Sequence, residues 1–273
     1  MRNIVFLFSV LFCFQLSAQR KPKIKGNKSV IDVQESLPPF NAIELRDDLE
    51  IKLQKAPEEG YAITADDNLI DVLKFNVEGS TLVISSFYKI TGKKKLEITV
   101  NYNYIDTITL HDGKIKTDGV LSADELFIST NESSKLELNA DARLISITME
   151  GNSSGDFNLS GEEMNFVLKD RIDARIYSVS TMNNLKMYKN ASVRMEGTAQ
   201  EFRANLFESA NLKGERLEAN TAFLTVQDSP SADVNVITDF QLTSSGSSKT
   251  HLYGNPKIEI IEFLDTSELH KEK

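Results

Sequence analysis

Three basic residues carry the most specific chemistry in this sequence: Arg175, Arg194 and Lys213. They follow one another at intervals of 19 residues, and each comes directly after an apolar residue. Guanidinium groups bind carboxylates and similar anions through paired N–H donors, and ammonium groups bind them as point charges. If the fold stacks these positions, they form a basic stripe, in which neighbouring charges ~5 Å apart repel by roughly 1 kcal/mol in water. Such a stripe therefore needs counter-charges.

Two interpretations of the stripe stand at this point. In the first, an anionic glycan or an acidic partner protein lies across Arg175, Arg194 and Lys213 and supplies the counter-charges. In the second, the pairing is internal, because Asp173 lies beside Arg175 on the same face of its strand.

Asp156 and Asp173 offer a second possible site. If they stack, two neighbouring carboxylates can hold Ca²⁺ or act as an acid–base pair. Lys135 and Arg175 are close enough in the same pattern to neutralise them instead.

Other catalytic or metal-binding patterns are missing from the sequence. His111, His251 and His270 have no Cys or second His at ligand spacing. There is no Gly-x-Ser-x-Gly elbow, phosphate-binding Gly loop or metalloprotease helix, and there is no Trp to serve as a sugar platform. We therefore expect no metal, no cofactor and no catalytic residue.

The composition narrows the class of protein. The 273 residues carry a net charge of −9, which argues against a nucleic-acid partner because phosphate binding requires a basic footprint. Hydrophobic residues make up 40%, as in globular proteins. A single cysteine, Cys13, excludes an intrachain disulfide framework.

The first residues predict a secretory signal peptide, residues 1–18. Basic Arg2 precedes an apolar run from Ile4 to Leu16, and Ser17 and Ala18 provide the small residues of a cleavage site. The run is shorter than the ~20 residues that span a membrane. No later segment approaches that length, so we expect export without a transmembrane span.

Residues 19–36 are polar and basic and predict a tether, whereas the sequence from about residue 37 onwards alternates between apolar and polar side chains as half-buried strands do. Residues 66–75 are the stretch that suits a helical turn. From about residue 111, clusters of Ser, Asn, Gly and Asp recur before short alternating segments. The spacings between the first apolar residues of these segments average about 19 residues. These residues are Ile115, Leu136, Phe157, Ala174, Val193, Leu212 and Val234, with Thr250 placed by position.

A second column of apolar residues precedes each cluster. Its members, starting with Ile128 and Met149 and ending with Leu242, lie six or eight residues before the first column. Even spacing keeps the same side chains facing inward, as a stack of strands requires. The pattern predicts an all-β fold, a parallel β-helix with coils of about 19 residues. A β-sandwich is the alternative, but Asn-Gly and Asp-Gly hairpin turns are scarce.

The β-helix is predicted to occupy residues 37–256. Both ends of a strand stack expose edges that need covering. Residues 40–100 would cover one end and Ile258–Phe263 the other, in a C-terminal segment 257–273 whose charged tail is solvated. Stacking of coil ends would also allow homo-oligomers.

Three sequence features together resemble the "putative auto-transporter adhesin, head GIN domain" family of exported Bacteroidota proteins. They are Phe40–Leu45 with Leu49–Leu53, Ala65–Ile70 with Val77–Ile84, and Ser/Gly turns ending at Ser245–Ser248 and Tyr253–Pro256. The resemblance covers roughly residues 38–256. It implies a single-stranded right-handed parallel β-helix and no catalytic residues. The sequence departs from the family pattern at 170–172 and 189–191, which leaves the shape of those turns open.

These observations favour a non-catalytic exported protein of the periplasm, outer-membrane surface or extracellular space, which binds an envelope glycan or another envelope protein. Two alternatives stay open: a polysaccharide lyase or hydrolase on the same scaffold, and a periplasmic partner in envelope signalling. Clustered carboxylates in a cleft would favour the enzyme.

Overall fold

A computed structural model describes residues 21–273 of the chain. Strands account for 72% and helix for 2%, in a parallel β-solenoid of about 9 turns with roughly 19 residues per coil. The predicted β-helix is therefore confirmed. The predicted signal peptide and Cys13 lie outside the described residues. Within the described range, no helix has both the length and the apolar character needed to cross a membrane.

The strands follow one another along the chain with one short helix, α1 (Asp67–Ile70), in the segment expected to hold a helical turn. The first ten strands are β1 (Lys23–Lys25), β2 (Val30–Ser36), β3 (Ala42–Leu45), β4 (Glu50–Lys55), β5 (Gly60–Asp66), β6 (Leu73–Glu78), β7 (Thr81–Ser86), β8 (Lys89–Gly92), β9 (Leu96–Tyr102) and β10 (Thr107–Leu110). The remaining strands are β11 (Lys114–Thr130), β12 (Lys135–Met149), β13 (Ser154–Leu168), β14 (Asp173–Met187), β15 (Ser192–Glu208), β16 (Asn211–Asp228), β17 (Ser231–Ser244), β18 (Lys249–Gly254), β19 (Lys257–Phe263) and β20 (Glu268–Lys271).

Each long strand from β11 to β17 bends around a whole coil and pairs in parallel with the next. These ladders exclude the β-sandwich, which is built from antiparallel strands. Phe157, Val193 and Leu212 point inward and are buried, as predicted. Because one coil cannot cover its own apolar face, the stability of each coil depends on its neighbours.

The observed register corrects the predicted first column at two positions. Gly155, not Phe157, stacks between Leu136 and Ala174, and Ala232, not Val234, stacks on Leu212. In both strands a larger apolar residue, Phe157 or Val234, follows two positions later on the same face and gives a stronger apolar signal. A Cβ on Gly155 would lie 2.2 Å from the Phe157 ring, so the ring occupies the space that a side chain at 155 would need.

The second column is corrected in the same way. Thr130 stacks with Met149, and Ser244 stacks with Val226, whereas Ile128 and Leu242 lie one inward position earlier. Both polar residues are fully buried, and their hydroxyls bond to serines in the neighbouring turns. Because Thr130 and Ser244 are polar, a pattern of apolar residues does not identify them as members of the inward column.

From the turn after β10 to the turn after β19, the turns between the two columns share one feature of the backbone. One residue in each turn has a left-handed backbone conformation. Asp170 and Lys189 adopt it with φ of 73° and 58°, close to the 79° of Gly151. The departures at 170–172 and 189–191 therefore do not change the turn. The full set is Gly113, Glu132, Gly151, Asp170, Lys189, Glu208, Asp228, Gly246 and Asp265.

Antiparallel strands cover the N-terminal end of the stack. Strand β5 pairs antiparallel with both β2 and β9, and β6 pairs antiparallel with β7. Strands β1 and β2 lie within 19–36, the segment predicted as a tether, so much of that segment belongs to the folded unit. Val30 and Val33 of β2 are half-buried, whereas Ile31 between them is exposed.

The C-terminal segment continues the stack. Strand β19 pairs in parallel with β17, and β20, from the tail predicted to be solvated, pairs in parallel with β18. The side chains of Ile258, Ile260 and Phe263 in β19 are exposed.

Candidate functional site

The structure places Arg175, Arg194 and Lys213 in one column. Arg175 in β14 is the direct ladder partner of Arg194 in β15, and Arg194 is the partner of Lys213 in β16. The preceding residue of each strand is buried, at Ala174, Val193 and Leu212. Period-two alternation then sends the three basic side chains outward, on the side wall of the β-helix.

A carboxylate residue flanks this basic column at each end. Asp156 is the ladder partner of Arg175 on one side, and Asp233 is the partner of Lys213 on the other. The basic residues therefore occupy three successive coils with an acidic residue in the coil before and the coil after.

Arg175 is ion-paired with Asp156, whose carboxylate accepts a hydrogen bond from the guanidinium Nε. This hydrogen bond holds the pKa of Asp156 below its ordinary value and raises the pKa of Arg175. The internal pairing expected for Arg175 thus exists, but its direct partner is Asp156 in the neighbouring coil. Asp173 stacks instead between Ser154 and Ser192.

Arg194 and Lys213 differ from Arg175 in their ion pairing. Among residues 21–273, no carboxylate lies within ion-pairing distance of either side chain, whereas Arg216 in the next outward column pairs with Glu196 at 3.4 Å. Because Arg194 and Lys213 have no ion-paired carboxylate, their charges repel each other, and Arg194 also repels Arg175. This arrangement is suited to an external anion.

A shallow cavity of about 420 Å³ opens in front of the basic column. Four cations and two carboxylates line it, so its local charge is opposite to that of the whole protein. Ser154 and Ser192 leave room beside the long basic side chains. The charged lining residues are Lys135, Arg175, Arg194, Lys213, Asp156 and Asp173.

A second cavity, of about 430 Å³, lies on the other side of Arg175 and Arg194. Tyr177 lines it, and 50% of this residue is exposed. The sequence analysis missed Tyr177, although its outward position two residues after Arg175 in an alternating strand could have identified it.

Asp156 and Asp173 do not form the stacked pair that the sequence suggested. Asp156 stacks on Arg175, and Asp173 stacks on Ser154, because Gly155 shifts the alignment of these coils by two residues. The stacked carboxylate pair that was considered as a possible site for Ca²⁺ or acid–base chemistry is therefore not formed. Within the described part of the chain, no group of three or more His, Cys, Asp or Glu side chains has the arrangement of a metal site.

The histidines are closer together than their sequence positions suggest. The rings of His251 and His270 stack in adjacent coils with 5.0 Å between their centroids. Nδ1 of His251 lies 2.8 Å from Glu272, and Nε2 of His270 lies 2.8 Å from Glu268. His111 is separate and contacts Glu44 at 3.0 Å.

Comparison with known proteins gives one family match. The model of the family described as "Putative auto-transporter adhesin, head GIN domain" matches residues 39–176 and 166–256. These ranges include all three residues of the basic column. No curated protein matches the chain.

Several solved structures are similar to this chain. An adhesin described as putative from Parabacteroides merdae has a TM-score of 0.69 at 14% identity, and one from Parabacteroides distasonis has a TM-score of 0.67 at 14% identity. A putative lipid binding protein from Parabacteroides distasonis has a TM-score of 0.59 at 17% identity. Each comparison covers 92% of this chain and 100% of the other. At these identities the likeness is one of fold.

Proposed function

Because the chain belongs to the family described as "Putative auto-transporter adhesin, head GIN domain", we propose that it is an exported, non-catalytic binding protein of the cell envelope. It holds an anionic partner against the side of the β-helix, on the column Arg175, Arg194 and Lys213. The observation that carries this proposal is the adjacency of Arg194 and Lys213 without ion-paired carboxylates among the described residues.

The charge distribution supports an anionic partner. Arg175 and Lys135 are already paired, with Asp156 and Glu137. The cations left for a ligand are thus Arg194 and Lys213, on adjacent coils. An anion that bridges them relieves their mutual repulsion in addition to forming charge-assisted hydrogen bonds.

The alternative of a polysaccharide lyase or hydrolase is less well supported. A general acid at neutral pH needs a raised pKa. The hydrogen bond from Arg175 lowers the pKa of Asp156, one of the two carboxylates in the lining of the first cavity. This carboxylate is thus adapted to hold Arg175 in place.

A lipid ligand, as in the description of one structural relative, is also less well supported. A lipid tail requires an apolar cavity. The space inside the coils is occupied by the column residues and by fully buried rings such as Phe166 and Phe240. The first cavity beside the basic column is lined mainly by charged and polar groups, and the second combines Phe157, Ile176 and Tyr177 with charged and amide side chains.

Charge reversal tests the proposed binding surface. The Arg194→Glu/Lys213→Glu variant is expected to lose at least tenfold in affinity, about 1.4 kcal/mol, for polyglutamate and for polygalacturonate. Isothermal titration calorimetry at two salt concentrations measures the affinity for each of the two polyanions. The matched control, Lys186→Glu/Lys257→Glu, makes the same change in net charge at two exposed lysines outside both cavities. Equal loss in the two variants would show a general charge effect and contradict the proposal.

The exported location is tested separately. N-terminal sequencing of the protein from envelope fractions is expected to begin at Gln19, after cleavage behind Ala18. Protease treatment of intact cells then distinguishes surface display from a periplasmic location. Recovery of the full chain in the cytosol would contradict export.

A further inference from the structure

Tyr177 gives the basic column a chemical specificity beyond charge. It lies in β14 two residues after Arg175, so both side chains project from the same face of the same strand. Its ladder partners are Asn158 and Glu196, and the tyrosine is half exposed between them. This exposed aromatic residue lines the same cavity as Arg175 and Arg194.

The cavity at Tyr177 also contains hydrogen-bonding amides. Asn139 and Asn158 line it together with Arg175 and Arg194, and the two carboxylates of the lining, Asp156 and Glu196, are ion-paired with Arg175 and Arg216. An amide side chain both donates and accepts hydrogen bonds, which suits hydroxyl groups. Guanidinium groups suit carboxylates or sulfates, and an aromatic face suits the C–H bonds on one side of a sugar ring.

An acidic peptide fits the same surface less well. On the side wall, the backbone N–H and C=O groups of β14 are used by its ladders with β13 and β15. A peptide therefore finds no strand edge to extend, which is the usual source of affinity for extended peptides on sheets. An acidic peptide could bind to the cations, but the exposed tyrosine ring and the asparagine amides of the cavity would contribute little to its affinity.

The spacing of the column favours a linear ligand. Neighbouring coils lie about 4.8 Å apart, and the cations of Arg175, Arg194 and Lys213 repeat once per coil. A sugar chain advances by a similar distance per residue. Successive acid groups can thus meet successive cations, and the cavities on both sides of Arg175 and Arg194 leave room for the rings.

We infer that the partner held by this column is a linear anionic glycan, with carboxylate or sulfate groups on Arg194 and Lys213 and one sugar ring against Tyr177. This inference rests on the proposed function and narrows it to one class of ligand.

The test uses the full mature chain and four soluble probes: hexagalacturonate, a sulfated dextran oligomer, maltohexaose and polyglutamate. We expect one or both anionic sugars to bind and neutral maltohexaose not to bind. Preference for the carboxylated or the sulfated sugar identifies the acid group, and either preference supports the inference. Tighter binding of polyglutamate than of both anionic sugars would overturn it.

The decisive variant is Tyr177→Ala, with Tyr104→Ala as its control, because Tyr104 is a tyrosine of similar exposure outside both cavities. Loss of a ring contact is expected to weaken binding of the preferred anionic sugar by about three- to tenfold. The Tyr104 variant should bind that sugar as the unchanged protein does. Circular dichroism and thermal unfolding confirm that both variants fold.

The results separate the ligand class from the binding surface. If Arg194→Glu/Lys213→Glu abolishes polyanion binding but Tyr177→Ala binds the anionic sugars like the control, the glycan inference is wrong and the basic surface stands. If the unchanged protein binds none of the charged probes, the glycan inference and the proposed surface both fail.

Discussion

Arg194 stacks directly on Arg175 in the neighbouring coil, and within residues 21–273 only Arg175 of this pair has an ion-paired carboxylate. Lys114 and Lys135 also stack on each other in adjacent coils, but there Glu137 pairs with both, with Nζ–Oε1 distances of 3.0 Å and 3.1 Å. The unpaired guanidinium of Arg194 is therefore the feature that most clearly distinguishes this surface from ordinary solvated charge.

Neutralising Arg194 should increase stability while it weakens binding. In Arg194→Gln, repulsion from Arg175 and Lys213 disappears, and we expect a gain of less than about 1 kcal/mol in the free energy of unfolding. Arg175→Gln should instead reduce stability, because Asp156 loses its partner. Urea unfolding at low and high salt measures the stability of both variants. Added salt should reduce the stability gained by Arg194→Gln, because salt screens the repulsion. A less stable Arg194→Gln protein would contradict this explanation.

Gly197 is predicted to be indispensable to the coil that contains it. Its φ is 111°, and a Cβ there would lie 2.0 Å from the carbonyl oxygen of Ser178 in the neighbouring coil. Gly119 is the matched control, with φ of 97° and no atom within 4 Å of its would-be Cβ. Both alanine variants carry backbone strain of about 1–3 kcal/mol. Gly197→Ala should lose at least about 2 kcal/mol more than Gly119→Ala in thermal or urea unfolding.

Equal losses in the two glycine variants would mean that the coils can separate locally to admit a methyl group. That result would contradict the close contact of Gly197 with Ser178.

The buried polar pair Ser178 and Asn183 should show strong coupling. Nδ2 of Asn183 donates to the Ser178 hydroxyl at 3.0 Å, and both residues are fully buried. Asn183 stacks between Met164 and Phe202 in an otherwise apolar column. Ser178→Ala alone should cost about 1–3 kcal/mol, because the buried amide loses its partner.

The double variant Ser178→Ala/Asn183→Leu removes both polar groups and restores an apolar column. We expect it to return to within about 1 kcal/mol of the unchanged protein or to exceed it. Additive losses in a double-mutant cycle of urea unfolding would contradict this prediction.

The stability contribution of Asp233 should depend on pH. Burial raises its pKa above the ordinary value of 3.8, an effect that Glu215 and Glu272 reinforce and that His251 and Lys213 oppose. A raised pKa contributes stability below the unfolded-state value, and that contribution is lost as the pH rises through the folded-state value. Ionised Asp233 is therefore unfavourable at neutral pH.

Asp233→Asn, which resembles the protonated acid, is expected to raise the unfolding midpoint at pH 7 and to leave it nearly unchanged at pH 3. Asp239→Asn on the same strand is the control, because Asp239 is exposed. A gain at pH 7 that persists undiminished at pH 3 would rule out titration of Asp233 as its cause.

Much of the fold could be predicted from local patterns. The repeat of about 19 residues and the inward positions of Phe157, Val193 and Leu212 follow from alternation alone, since a strand turns successive side chains to opposite faces. The spacing of 19 residues also aligned Arg175, Arg194 and Lys213 correctly. The alignment failed at Gly155 and Ala232, because the larger Phe157 and Val234 lie two positions later on the same face of each strand.

The sequence by itself determined the winding of the chain and the face on which each side chain lies, because both follow from the period of the strand. It did not determine which side chain neutralises which, or that Tyr177 lies beside the unpaired Arg194. Those relationships connect residues 17–20 positions apart and depend on the register between coils, which is set by how Phe157, Gly155 and the other inward side chains share space. Only tertiary packing could decide that Asp156, not Asp173, pairs with Arg175.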